Sequence, residues 1–136
     1  MKSNLLNNVR LYQPATDDAQ SLRYFHIDAQ HAGCSWHFHP EFQLSYVVRG
    51  SGQRLTGDSM HAIEEGEITL LGPNLPHVWR YDTAIEEDGI QSHVFHFQED
   101  VLGAEFLQKP EMRDLRLLLS RASQGLQLVG RSREAA

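Results

Sequence analysis

Between Leu22 and Gln98 every run of β-branched and aromatic residues is short, and each is cut off by Gly, Asp, Asn or Pro. Such punctuation leaves no room for a sustained helix and favours many brief strands joined by tight turns. The runs predict strands at 22–28, 35–39, 42–49, 52–56, 60–63, 67–71, 77–81 and 91–98. Turn chemistry separates them at Gly50-Ser51-Gly52, Gly57-Asp58, Glu65-Gly66 and the Pro-bracketed Gly72-Pro73-Asn74-Leu75-Pro76. Segment 82–90, carrying Glu86, Glu87, Asp88 and Gly89, reads as an exposed loop. The fold class that follows is mainly β, a closed barrel or sandwich.

After Gln98 the apolar period lengthens. Val101, Leu102, Phe106 and Leu107 suggest a short helix, and Pro110 is placed to open a second. In that second helix Met112, Leu115, Leu118, Leu119 and Ala122 form one stripe, read either as core-facing or as a partner surface, and Gly125 is a terminator. The chain of 136 residues suits one domain. Its expected parts are an N-terminal arm at 1–20, a β-barrel at 21–99, a helical segment at 100–125 and a linker or chain end at 126–136.

Charge and apolar patterning exclude several roles. A formal net charge of −6, with 12 scattered Lys and Arg, argues against direct nucleic-acid binding by this segment. The longest apolar stretches, such as Ile68–Leu71, are far too short to span a membrane, and the start MKSNLLNNVR lacks the centre of a secretion signal. A cytoplasmic location is expected. The single Cys34 agrees with a reducing compartment and reads as a packing residue.

Eight histidines are the feature that needs explaining. In Trp36-His37-Phe38-His39-Pro40-Glu41-Phe42-Gln43 two histidines stand two apart in an extended run, so both leave one face, about 6.6 Å apart along the strand. Gln43 and Glu41 share that parity, and His77 follows the Pro-bracketed turn. Of His93 and His96, which have opposite parity in one strand, at most one faces the same interior. His26, His31 and His61 read as surface or core residues. Trp36, Phe38, Phe42, Tyr46, Trp79 and Phe95 can each line a cavity or pack in the core, and Arg49, Arg54 and Arg80 can pair with an anion or solvate a face.

These residues resemble the cupin motifs. The first, Gly, five residues, His-x-His, three or four residues, Glu, six residues, Gly, is met by His37, His39, Gln43 and Gly50, with His31 in place of the leading Gly and Gly33 nearby. The second is met by Gly66 and His77, while Gly72 and Asn74 stand where Pro and Gly are expected, Pro73 is displaced by one and Tyr81 replaces the final Asn. Within cupins, HFHPEFQLSYVVRGSGQRLTGD, LLGPNLPHVWR and HFQEDVLG are similar to the sensor domains of AraC-type transcription regulators, over roughly residues 22–125. The resemblance implies a cupin-type double-stranded β-helix, or jelly-roll barrel, followed by one or two C-terminal helices that often mediate dimerisation. It implies a small-molecule effector, pairing into a homodimer, and DNA contact only through a helix-turn-helix domain outside this segment.

Two readings of the site stay open. In one, His37, His39 and His77 with Gln43 or Glu41 hold a divalent ion; such ligands suit Zn, Ni, Fe and Mn alike. Gln43 cancels none of the ion's charge, so an anion or ligand must join it. In the other, His37, His39, Gln43, His77, Trp36, Tyr46 and Trp79 are a polar and aromatic lining without metal, hydrogen-bonded to one another or to an effector. The function expected is effector sensing without catalysis, with the arm folding over the pocket in one state. The alternative is a metal-dependent cupin enzyme, a dioxygenase or isomerase acting on a small organic acid.

Overall fold

The computed structural model describes residues 10–11, 21–28, 36–82 and 89–129. Two five-stranded sheets face each other. Their strands are β1 (Arg10–Leu11), β2 (Leu22–Asp28), β3 (His37–Phe38), β4 (Phe42–Arg49), β5 (Gly52–Thr56), β6 (Ser59–Ala62), β7 (Ile68–Leu71), β8 (His77–Tyr81), β9 (Gln91–Phe97) and β10 (Leu126–Leu128). One sheet has the order β1-β3-β8-β5-β6 and the other β10-β7-β4-β9-β2. Apart from the β5–β6 hairpin, each consecutive pair from β2 to β9 crosses between sheets, which is the jelly-roll order of eight strands. The mainly-β expectation holds, and the strands fall within two residues of their predicted positions. β1 adds in parallel to β3 and β10 antiparallel to β7.

Two local features depart from the sequence reading. The short helix expected from Val101 does not form. Gly103 adopts a φ of 100°, breaking the run, and only a turn of 3-10 helix at Phe106–Gln108 remains. The second helix is present: a 3-10 turn at Pro110–Met112 leads into α1 (Arg113–Arg121). Arg116 donates to the Leu107 carbonyl, fastening α1 to the turn before it. Leu126–Leu128, read as the start of the tail, instead pairs with Leu70, Thr69 and Ile68 of β7. The arm apart from Arg10 and Leu11, the loop core at 83–88, and His31, Gly33 and Cys34 lie outside the described residues. Among the described residues no helix is long and apolar enough to cross a membrane.

Polarity is distributed unusually across the sheets. Phe42, Leu70, Leu107, Leu119 and Ala122 form the main apolar cluster, on the outward face of β4 and β7 beneath α1. Trp36, Leu55 and Val78 form a second, on the face of β5 and β8 opposite His77 and Thr56. The space between the sheets receives the buried polar side chains, among them Gln43, Ser45, Arg54, Glu67, His77 and His96. Strand alternation explains the split, because neighbours such as Phe42 and Gln43, or Leu70 and Leu71, point to opposite faces.

Two details tie the strand ends together. A Cβ on Gly72 would stand 2.9 Å from the carbonyl carbon and oxygen of Ala122 and from the Ser123 nitrogen. Only glycine lets the Gly72 amide donate to the Ala122 carbonyl at 2.7 Å. Asn74 takes a φ of 62°, a left-handed conformation that Asn tolerates better than most residues, at the position where the motif expects glycine. Its amide donates to the His39 carbonyl at 2.7 Å, holding the loop after β7 against the segment after β3.

A buried ion pair crosses the interior: Arg54 Nη1 lies 2.6 Å from Glu67 Oε1. Trp79 Nε1 donates to the same oxygen at 3.3 Å, and the Glu64 amide to Glu67 Oε2 at 3.1 Å. Removing one partner strands a charge in low dielectric. Arg54→Met is therefore expected to lower unfolding stability by about 3–5 kcal/mol, and Arg54→Met/Glu67→Leu to recover most of that loss, in urea titrations of each variant.

Candidate functional site

Four elements deliver the polar focus. Gln43 comes from β4, His77 from the first position of β8, His96 from β9 and His39 from the segment between β3 and β4. Register sets the alignment: Gln43 pairs with Leu71 on one side and His96 on the other, and His96 pairs with Arg23 of β2. The row Leu71–Gln43–His96–Arg23 thus runs across one sheet, facing inward. His37 pairs with His77 and Thr56 with His77 in the opposite sheet.

At the centre stands the side-chain oxygen of Gln43. His39 Nε2 lies 3.0 Å from Gln43 Oε1, His77 Nε2 3.1 Å and His96 Nε2 2.9 Å. The His39 and His96 rings are 4.1 Å apart, and the His37 ring meets the His77 ring edge-on at 4.5 Å. Potential ligand nitrogens of His37, His39 and His77 all lie within 4.8 Å of one another. His39, Gln43, His77 and His96 are each buried.

Protonation decides what this cluster can do. Burial, then the neighbouring His37, lowers the His77 pKa to about 3, against the pull of the Leu75 backbone hydrogen bond. Burial and then His39 lower that of His96 to about 3. Both are neutral near pH 7. His77 Nδ1 lies 2.7 Å from the Leu75 carbonyl oxygen, which only accepts, so Nδ1 carries the single ring proton. Its Nε2 therefore presents a lone pair to Gln43 Oε1, an atom that also only accepts. His39 is oriented in the same way, with Nδ1–H donating to the Glu41 carbonyl at 3.1 Å. The Gln43 amide nitrogen is used elsewhere, donating to Ser45 Oγ at 2.9 Å.

Electron pairs aimed at one another repel unless a cation stands among them. Imidazoles fixed by Nδ1–H to backbone carbonyls, with Nε2 turned inward, are the arrangement that holds a divalent ion. The donor set of His37, His39, His77 and Gln43 fits such a group, and His96 Nε2 faces the same focus. Glu41 does not share it. Its carboxylate sits 3.5 Å from His39 Nδ1, behind the ring.

The other candidate residues are spread more widely. Trp79 faces inward, edge-on to His77 at 5.9 Å. Trp36 is buried with Leu55 and Val78, away from the histidines. Tyr46, 41% exposed, stacks on His93 on the outward face together with Tyr24. Phe42 and Phe95 also face outward, Phe42 beneath α1. Trp36 and Tyr46 have the opposite strand parity to His37 and Gln43, a signal present in the sequence that separates them from the site. Arg54 pairs with Glu67, while Arg49 and Arg80 are exposed. His26 and His61, read as surface or core residues, are exposed. Sequence alternation narrowed His93 and His96 to one inward residue, and register makes it His96. Glu67 and Arg23 were not singled out.

A jelly roll whose interior is polar and lined by imidazoles is a cupin-type barrel. A family model described as "AraC-like ligand binding domain" matches residues 12–135, and the chain belongs to that family. Among solved structures it is similar to a cupin 2 conserved barrel domain protein from Rhodopseudomonas palustris, with 20% identity, 73% of this chain and 72% of that chain covered, and a TM-score of 0.41. Among curated proteins none matches. The domain is a ligand-binding domain of the AraC type.

Depressed imidazole pKa values fix the sign of the acid response. The unfolded chain takes up protons near pH 6.5, which His77 and His96 refuse in the fold until about pH 3. Stability of metal-free protein is thus full above pH 6.5 and falls as pH drops toward 3, by about 1.4 kcal/mol per pH unit for each imidazole. Thermal melts between pH 7.5 and about 4 should show this slope, and His96→Asn should reduce it by about half.

Proposed function

We propose that this domain senses a small-molecule effector between its sheets, with a divalent ion held by His37, His39, His77 and the Gln43 amide oxygen, within a transcription regulator. The observation that carries the metal is the convergence of the His77 Nε2 lone pair, fixed by the Leu75 carbonyl, with His39 and His96 on Gln43 Oε1. Bound there, an ion supplies a Lewis-acidic point that attracts an oxygen-bearing effector. Zn, Ni, Fe and Mn all suit the donor set.

Sensing without catalysis is supported by the ligand chemistry. Gln43 replaces the carboxylate that metal-cupin enzymes use, and Glu41 is turned to the far side of His39. A route to the output is supported by packing. Leu71 is the cross-strand neighbour of Gln43, and the next residue, Gly72, is bonded to Ala122 at the end of the helical segment. A shift of β7 on effector binding would therefore be felt by α1 and β10. DNA contact belongs to a separate helix-turn-helix unit of the regulator.

Pairing of two copies through α1 completes the proposal. Leu119 and Ala122 are buried against β4 and β7, but Leu115, Leu117 and Leu118 of the same segment remain exposed. Leu118→Glu is expected to retain the wild-type circular dichroism spectrum and to sediment as a monomer where the wild type sediments as a dimer. A monomeric wild type would sink the pairing.

Elemental analysis tests the metal. About one divalent ion per chain is expected in protein purified without an affinity metal, and a small fraction of that in His37→Ala/His39→Ala. Gln43→Glu adds a charged ligand and should release its ion to a chelator more slowly than wild type. Absence of metal from wild-type protein dialysed against each of the four ions would overturn this part of the reading.

A further inference from the structure

The inward row across β7, β4, β9 and β2 ends on Arg23. Its strand alternates: Leu22, Tyr24 and His26 are exposed, whereas Arg23, Phe25 and Ile27 turn toward the interior. Arg23 is the cross-strand partner of His96, whose Nε2 touches the Gln43 oxygen. Phe25 lies on the same face, with its ring 5.0 Å from that of His96. Nη1 of Arg23 is buried and has no hydrogen-bond partner.

A guanidinium nitrogen in that position costs free energy, because its hydration is lost and nothing replaces it. Of the carboxylates beside the focus, Glu67 accepts from Arg54, Trp79 and the Glu64 amide. Glu41 is turned behind the His39 ring, 3.5 Å from Nδ1, with its Oε2 buried and without a hydrogen-bond partner. The imidazoles beside Arg23 bring no negative charge, and its positive charge is among the influences that lower the His96 pKa. The inward row therefore has a cationic end that no ion pair among the described residues neutralises.

We propose that Arg23 is the anchor for the effector and that the effector is a small organic carboxylate, held at Arg23 beside the His96–Gln43 focus. This rests on the reading of the barrel interior as the effector site, and adds the chemical class. A carboxylate presents two oxygens to the planar fork of an arginine, matching its donors in pairs. A phosphate spreads more charge over more oxygens and calls for further cations. Among the described residues the only lysine, Lys109, lies outside the sheets beside the Phe106–Gln108 turn, and Arg54 is taken by Glu67. The carboxylate also supplies the negative charge that Gln43, as a neutral amide, withholds from an ion at the focus.

The test is calorimetric titration of the full 136-residue chain. Probes are acetate, pyruvate, oxalate and benzoate, their neutral amides, and inorganic phosphate, each added to wild type, Arg23→Gln and Arg23→Lys. At least one carboxylate is expected to bind wild type at least tenfold more tightly than its amide. Arg23→Gln should lose at least tenfold in that affinity and Arg23→Lys less, with metal content of the unliganded protein preserved and its melting temperature not lowered. Equal binding of a carboxylate and its amide, unaltered carboxylate binding by Arg23→Gln, or binding of phosphate alone would overturn the carboxylate assignment while leaving a sensing pocket intact. Silence from every probe, charged or neutral, would overturn this inference and count against the sensing reading itself; metal content in the same samples reports separately on the ion.

Discussion

Gln43 Oε1 has three imidazole nitrogens within 3.1 Å, and the rest of the interior is arranged around that contact. No single segment produces it. The 39–43 spacing, the turn that starts β8 at His77 and the register of β9 must all be right at once. Two backbone hydrogen bonds enforce this: the Leu75 carbonyl orients His77, and the Asn74 amide holds the His39 carbonyl. The loop from Gly72 to Pro76 therefore orients the His77 imidazole and holds the backbone of His39, whose ring is oriented by the Glu41 carbonyl.

The same loop links the interior to the C-terminal elements. Gly72 is pressed against Ala122 so closely that any side chain would collide with backbone, and Leu126–Leu128 then returns along β7. Contacts this tight transmit displacement, because close-packed backbones have no slack to absorb it. On the proposed sensing reading, a small movement of β7 relative to β4 would alter how the end of α1 sits.

Much of the fold was legible in the sequence because period-two alternation and turn residues are local signals. Eight strands, the second helix and the terminator at Gly125 were all readable from residue type. What failed was short or non-local. Leu126–Leu128 is too brief to declare itself a strand, and Gly103 interrupts an apolar spacing that otherwise suits a helix. The His37, His39, Gln43 and His77 set was readable from spacing and motif likeness. His96 was half readable, since alternation allows one of two histidines inward and only the pairing of β4 with β9 chooses between them. Arg23 was invisible for the same reason: its alternation with Phe25 was present, but which face met the interior depends on a partner strand some seventy residues away. Trp36 and Tyr46 have the opposite parity to His37 and Gln43, and their outward faces separate them from the site.

Apolar clusters on the outer faces and polar rows between the sheets divide the labour of the chain. Burial of large apolar side chains contributes about 1.5–3 kcal/mol each, and the main cluster, Phe42, Leu70, Leu107 and Leu119, lies away from the imidazoles. Inward positions such as Ser45, Ser92 and Arg23 carry little of that burden. Descendants of such a barrel can therefore exchange their linings, one residue at a time, and acquire new chemical tastes without first having to survive a loss of foldedness. The buried Arg54–Glu67 pair is the exception, an inward feature that is inherited whole or not at all.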